Sequence, residues 1–104
     1  MQITEIISCL DSIKAQEIVT INISNLTDIA ENMIICTGTS SSHVRSISKK
    51  LADTVKKEQQ IRPVLQGEET SDWILLDLGD TIVNIMQHEA RELYDLEGLW
   101  QEHD

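Results

Sequence analysis

Several features that mark whole protein classes are scarce or absent in this 104-residue chain. Cysteine occurs only at positions 9 and 36, far apart and in apolar surroundings, with no Cys-x-x-Cys spacing and no second pair. That excludes a disulfide framework or a thiolate zinc site and leaves two buried thiols. No apolar run exceeds a few residues, and Met1 to Asp11 has neither a basic opening segment nor a small-residue cleavage site. Neither a membrane span nor a signal peptide is therefore expected, and the cytoplasm is the expected location. The patterns Asn22-Ile23-Ser24 and Asn25-Leu26-Thr27 match a glycosylation acceptor but have no consequence without secretion. No low-complexity tract appears, and at 40% apolar residues the composition is that of one globular domain spanning residues 1–104, large enough for one core.

Basic residues are missing from one part of the chain. Residues 1–67 carry seven acids and seven bases, whereas residues 68–104 carry eleven acids and Arg91 alone, so the whole net charge of −10 comes from the C-terminal third. Such a surface repels phosphate backbones and attracts basic proteins. It also serves solubility.

The apolar pattern gives the elements. Ile3, Ile6, Ile7, Leu10 and Ile13 recur at helical spacing from residue 2 to about 15. "EIVTINIS", Glu17 to Ser24, is β-branched, with Val19, Ile21 and Ile23 alternating onto one face. After a turn at Leu26 to Asn32, "MIICTGT" from Met33 to Thr39 reads as a central strand buried on both sides. Ser40 or Ser41 caps a long helix with Val44, Ile47, Leu51 and Val55 as its core stripe, which also carries Arg45, Lys49, Lys50, Lys56 and Lys57. "IRPVLQG" is a short edge strand, because Pro63 lacks an amide donor. The ribbon "DWILLDLGDTIVNIMQ" and the helical tail "HEARELYDLEGLW" complete the order helix, strand, strand, helix, three strands, helix. The expected fold is α/β (α+β): a mixed sheet of about five strands, with helices mainly on one face and the other face partly bare.

In the ribbon, a two-residue loop at Gly79-Asp80 fits a type II′ turn and sets Leu78 opposite Thr81, Asp77 opposite Ile82, Leu76 opposite Val83, Leu75 opposite Asn84, Ile74 opposite Ile85 and Trp73 opposite Met86. Paired residues share a face, so Ile74, Leu76, Leu78, Val83 and Ile85 form an aliphatic side for helix packing. The opposite side presents Trp73, Leu75, Asp77, Ile82, Asn84 and Met86, a mixture of large apolar and hydrogen-bonding groups suited to recognition. The competing reading is that the tail covers this side and makes Trp73 part of the core. In the tail, Leu93, Leu96 and Leu99 are expected to point inward, with Tyr94 and Trp100 at the margin of the recognition side.

Taken together, "MIICTGTSSSHV", "DWILLDLGDTIVNIM" and "ARELYDLEGLW" resemble the ribosomal silencing factor family, also called Iojap-like proteins, across essentially the whole chain. The resemblance implies a small α/β fold related to nucleotidyltransferases without their chemistry. It further implies a cytoplasmic factor that binds the large ribosomal subunit through ribosomal protein number fourteen and keeps the small subunit from joining, so that translation is damped when nutrients run short. On that implication the ribbon face with Trp73, Leu75, Asp77, Ile82, Asn84 and Met86, flanked by Tyr94 and Trp100, is the docking surface. Asn84 departs from the family, whose members commonly carry His there; an amide hydrogen-bonds but does not titrate near neutral pH. Arg45, Lys49 and Lys56 can share a helical face and offer a minor rRNA contact, against the plainer reading of a solvated charged face.

Three other readings compete, the first an enzyme of either of two kinds. A nucleotidyltransferase would need a Gly-Ser-type turn, passably matched by "TGTSS", and two carboxylates alternating on one strand to hold Mg²⁺, but Asp77 and Asp80 lie three apart across a turn. Zinc hydrolysis lacks a second His, since Glu92 stands where "HEARE" would need one and His43 and His103 are isolated. The expectation is no enzyme, no cofactor and no metal. The other two readings are a homodimer built on the same ribbon face and a large-subunit assembly factor.

Overall fold

The computed structural model describes residues 2–100. His103, read above as isolated, lies outside them, as do two of the acids counted in the C-terminal third, Glu102 and Asp104.

The chain runs α1 (Ile3–Ser12), β1 (Gln16–Asn22), β2 (Asn32–Gly38), α2 (Ser41–Gln59), β3 (Val64–Gln66), β4 (Trp73–Asp77), β5 (Thr81–Gln87), α3 (His88–Tyr94) and α4 (Leu96–Trp100). The five strands form one mixed sheet in the order β1-β2-β5-β4-β3. Only β2 and β5 pair in parallel; the remaining neighbours are antiparallel. The interior strands are therefore β2, β5 and β4, with β5 at the centre, and β2 and β5 are almost wholly buried. β1 and the three-residue β3 form the edges, which is where Pro63 can be tolerated.

Two cores sandwich the sheet. On one face α1 and α2 pack Ile6, Leu10, Val44, Ile47, Leu51 and Val55 onto Ile34, Cys36, Ile74, Leu76, Val83 and Ile85. The predicted stripe of α2 and the aliphatic side of the ribbon meet here. Ser40 caps α2, its hydroxyl accepting from His43 N–H at 3.1 Å. His43 is less isolated than its sequence position suggests. Its Nδ1 accepts from Thr39 N–H at 2.9 Å, which leaves Nε2–H to donate to the Ile13 carbonyl at 2.7 Å. The imidazole thus fastens the end of α1 to the β2–α2 turn. Close approach at the same turn requires Gly38: a Cβ there would lie 2.7 Å from Val44 Cγ2.

The second face is smaller and covered differently. Met33, Ile35 and Met86 of the sheet are buried against Ile23, Ala30 and Leu96, with Ile21, Trp73, Ile82, Ala90 and Trp100 packed around them. The alternation of Val19 and Ile21 holds despite a bulge between Gln16 and Val19, where Glu17 takes a positive φ of 49°. The longer helices α1 and α2 occupy one face, while the short α3 and α4, with the 23–30 loop, close part of the other.

Candidate functional site

The ribbon register agrees with the expected one at every pair, from Trp73 opposite Met86 to Asp77 opposite Ile82, and Leu78 N–H donates to the Thr81 carbonyl at 2.9 Å to close the turn. Gly79 has φ of 93° and Asp80 is not among the positive-φ residues, as a II′-type turn requires. The Asp77 carboxylate accepts from Gly79 N–H at 2.9 Å, so this exposed side chain has a local role in the turn.

The six ribbon residues assigned to the recognition side do share a face, but they are not equally accessible. Asp77 is exposed, and Trp73, Leu75 and Ile82 are half-buried. Asn84 is 0% and Met86 1% exposed, so these two contribute no contact surface, and the expectation that they do is corrected. The cause is tertiary: the tail folds back and buries the end of the face nearest β2. Trp73 lies at the boundary between the covered and open parts. Its indole Nε1–H donates to Asn84 Oδ1 at 2.8 Å, reaching diagonally across the β4–β5 ladder. That donor fixes the amide orientation and leaves buried Asn84 Nδ2 without a partner among the described residues.

The tail is held by charge and by aromatic contact. Tyr94 stacks on Trp73 with ring centroids 4.9 Å apart and planes tilted by 44°, and remains 54% exposed. Arg91 is buried. It donates from Nη1 to Thr37 Oγ1 at 2.8 Å and from Nε to Glu97 Oε1 at 2.7 Å, with Glu17 at 3.8 Å. One guanidinium therefore links α3 to the end of β2 and to α4. Burial pushes the neighbouring Cys36 thiol up to about 12, against the opposing pull of the Arg91 charge.

The inward leucine expectation holds only for Leu96. Leu93 is 77% and Leu99 69% exposed, because Asp95 adopts a left-handed conformation (φ 45°, ψ 53°) that ends α3 and restarts the helix in a new phase. Trp100 is half-buried against the second core. Alongside Trp73 and Tyr94 runs a groove of about 400 Å³, with Asp72, Gln87, Glu89 and Leu93 among its walls. Gln87 Nε2 donates to the Ser71 carbonyl and to Asp72 Oδ1 at 3.1 and 3.2 Å. Sequence reasoning missed Asp72, Gln87 and Arg91 as site-building residues. Only Arg91 left a signal, as the sole base among eleven acids.

Three of the four hydroxyl groups of the "TGTSS" turn are engaged internally, Thr37 by Arg91, Thr39 by His43 and Ser40 by the helix cap. Among the described residues no group of three or more His, Cys, Asp and Glu side chains could hold a metal ion, and no helix is long and apolar enough to cross a membrane.

Comparison with known proteins agrees with this architecture. A family model described as "ribosomal silencing factor during starvation" matches residues 1–104. A Haemophilus influenzae protein named ribosomal silencing factor RsfS is 45% identical over 91 residues, which are 88% of this chain and 89% of the relative. A crystal structure of a Chromobacterium violaceum protein superposes with a TM-score of 0.87 at 33% identity, covering 100% of this chain and 92% of the other. More distantly, a mouse protein named mitochondrial assembly of ribosomal large subunit protein 1 is 27% identical over 98 residues, 91% of this chain and 43% of the relative. With a family match over its whole length and a relative at 45% identity, this chain belongs to the ribosomal silencing factor family.

Proposed function

We propose that this protein is a single-domain translational repressor, active in the cytoplasm without catalysis or cofactor, that binds the large ribosomal subunit through ribosomal protein number fourteen and thereby blocks joining of the small subunit. Family membership and the mouse relative's name, which refers to the large subunit, support the target. The observation that carries the docking site is the stacked Trp73–Tyr94 pair, partly exposed at the open edge of the second sheet face beside the outward Leu93. Large aromatics at the border of an apolar patch are what an interface anchor needs: contact area with little conformational freedom to lose. Leu75, Ile82 and Asp77 extend the patch along the ribbon, and Trp100 bounds it from the tail. The acidic C-terminal third steers the surface toward a basic ribosomal protein and away from bare rRNA.

Co-sedimentation with purified large and small subunits, run separately, tests this reading. Binding to the large subunit alone, together with inhibition of subunit joining, is the expected result. Binding to both subunits equally, or to neither, would defeat it.

A further inference from the structure

The groove beside Trp73 and Tyr94 has walls of two kinds. One is aromatic and aliphatic, from the stacked pair and Leu93; the other carries the carboxylates of Asp72 and Glu89. Among the described residues no Lys, Arg or His lines it. Among the described residues, three basic side chains close to it have partners of their own, His88 Nε2 lying 3.1 Å from Glu92 Oε1. Arg91 is buried on Thr37 and Glu97, and Arg45 donates from Nη1 to Ser71 Oγ at 2.9 Å without lining the groove. Asp72 is held in place from two sides, since Gln87 N–H donates to its carbonyl at 2.9 Å and Gln87 Nε2 to its Oδ1 at 3.2 Å.

We propose that this groove receives an arginine side chain of the protein partner, its guanidinium plane against the Trp73–Tyr94 rings and its N–H groups on Asp72 and Glu89. The inference rests on the docking reading above and names the chemistry of the occupant. A positive charge is favoured because two acidic residues line a groove that has no basic residue among its described lining. An aromatic wall selects guanidinium over ammonium, because the planar, weakly hydrated group stacks on a ring face while still pairing with a carboxylate. A volume of about 400 Å³ accommodates one long side chain.

The test compares affinity of the full chain for purified large subunits in four forms. Asp72→Asn/Glu89→Gln removes both groove charges and is expected to weaken binding by about tenfold, mainly through faster dissociation, and to flatten its salt dependence. Glu5→Gln/Asp11→Asn, on α1 beneath the opposite sheet face, removes the same net charge and should change affinity by no more than about twofold. Tyr94→Leu removes the aromatic wall and should bind several-fold more weakly than the parent. If the two charge-pair variants lose affinity equally, or if the groove variant binds like the parent, the arginine site is wrong while the docking reading stands. If the parent itself fails to bind large subunits, both fall together.

Discussion

The indole Nε1 of Trp73 and the amide oxygen of Asn84 are joined by a 2.8 Å hydrogen bond across the β4–β5 ladder. Through it a fully buried amide sets the orientation of a ring whose other side carries Tyr94. Asn84 is thus a positioning residue beneath the proposed docking surface. Replacing it by Ala would strand the indole N–H in a partly buried setting and open a small cavity, for an expected loss of about 2 kcal/mol. Urea unfolding should report that loss as a lower midpoint at unchanged slope; an unaltered midpoint would mean that the contact contributes nothing to stability.

Arg91 is the second fixed point of the tail. Arg91→Leu preserves much of the buried volume but removes the donors to Thr37 and Glu97, and about 2–3 kcal/mol of stability should go with them. Because α3 and α4 are tied down here, amide hydrogen exchange in residues 88–100 should accelerate more than in β2 or β5. Uniform acceleration across the sheet would show that the guanidinium supports the whole fold and not the tail.

How much of this was legible beforehand differs by element. The ribbon could be read to the residue, since a two-residue turn fixes register and a period of two fixes the faces. The α2 stripe was equally open to reading because Val44, Ile47, Leu51 and Val55 repeat at helical spacing beside a serine cap. The tail was not. Its phase breaks at Asp95, whose left-handed backbone has no sequence marker as strong as glycine, and so Leu93 and Leu99 turned outward. Burial of Asn84 and Met86 was hidden for a related reason: it depends on where a separate segment docks, which a strand's own alternation cannot reveal.

The core supplies a control. Leu76→Ala, fully buried under α2, should cost about 2–5 kcal/mol by leaving a cavity. Once folded, the variant should bind large subunits as the parent does. Weakened binding by protein shown to be folded by circular dichroism would mean that the two sheet faces are coupled.

Alkaline pH offers a check on Cys36. With its folded-state value raised from 9.0 to about 12, the folded protein keeps this proton where the unfolded chain releases it. The cysteine's contribution is therefore fully present below pH 9 and is lost as pH rises from 9 toward 12. Between those limits a Cys36→Val protein should lose stability less steeply than the parent. Parallel pH profiles for the two would contradict burial of the thiol in its neutral form.

The central claim is that the Trp73–Tyr94 edge of the second sheet face contacts the large subunit. Its most direct test is large-subunit binding by Trp73→Ala and Tyr94→Leu proteins whose fold has been verified by circular dichroism. An interface anchor of this kind costs about 2 kcal/mol or more when truncated, so Trp73→Ala should bind at least about tenfold more weakly and lose inhibition of subunit joining in step, with Tyr94→Leu intermediate. Folded variants that bind and inhibit like the parent would contradict the claim.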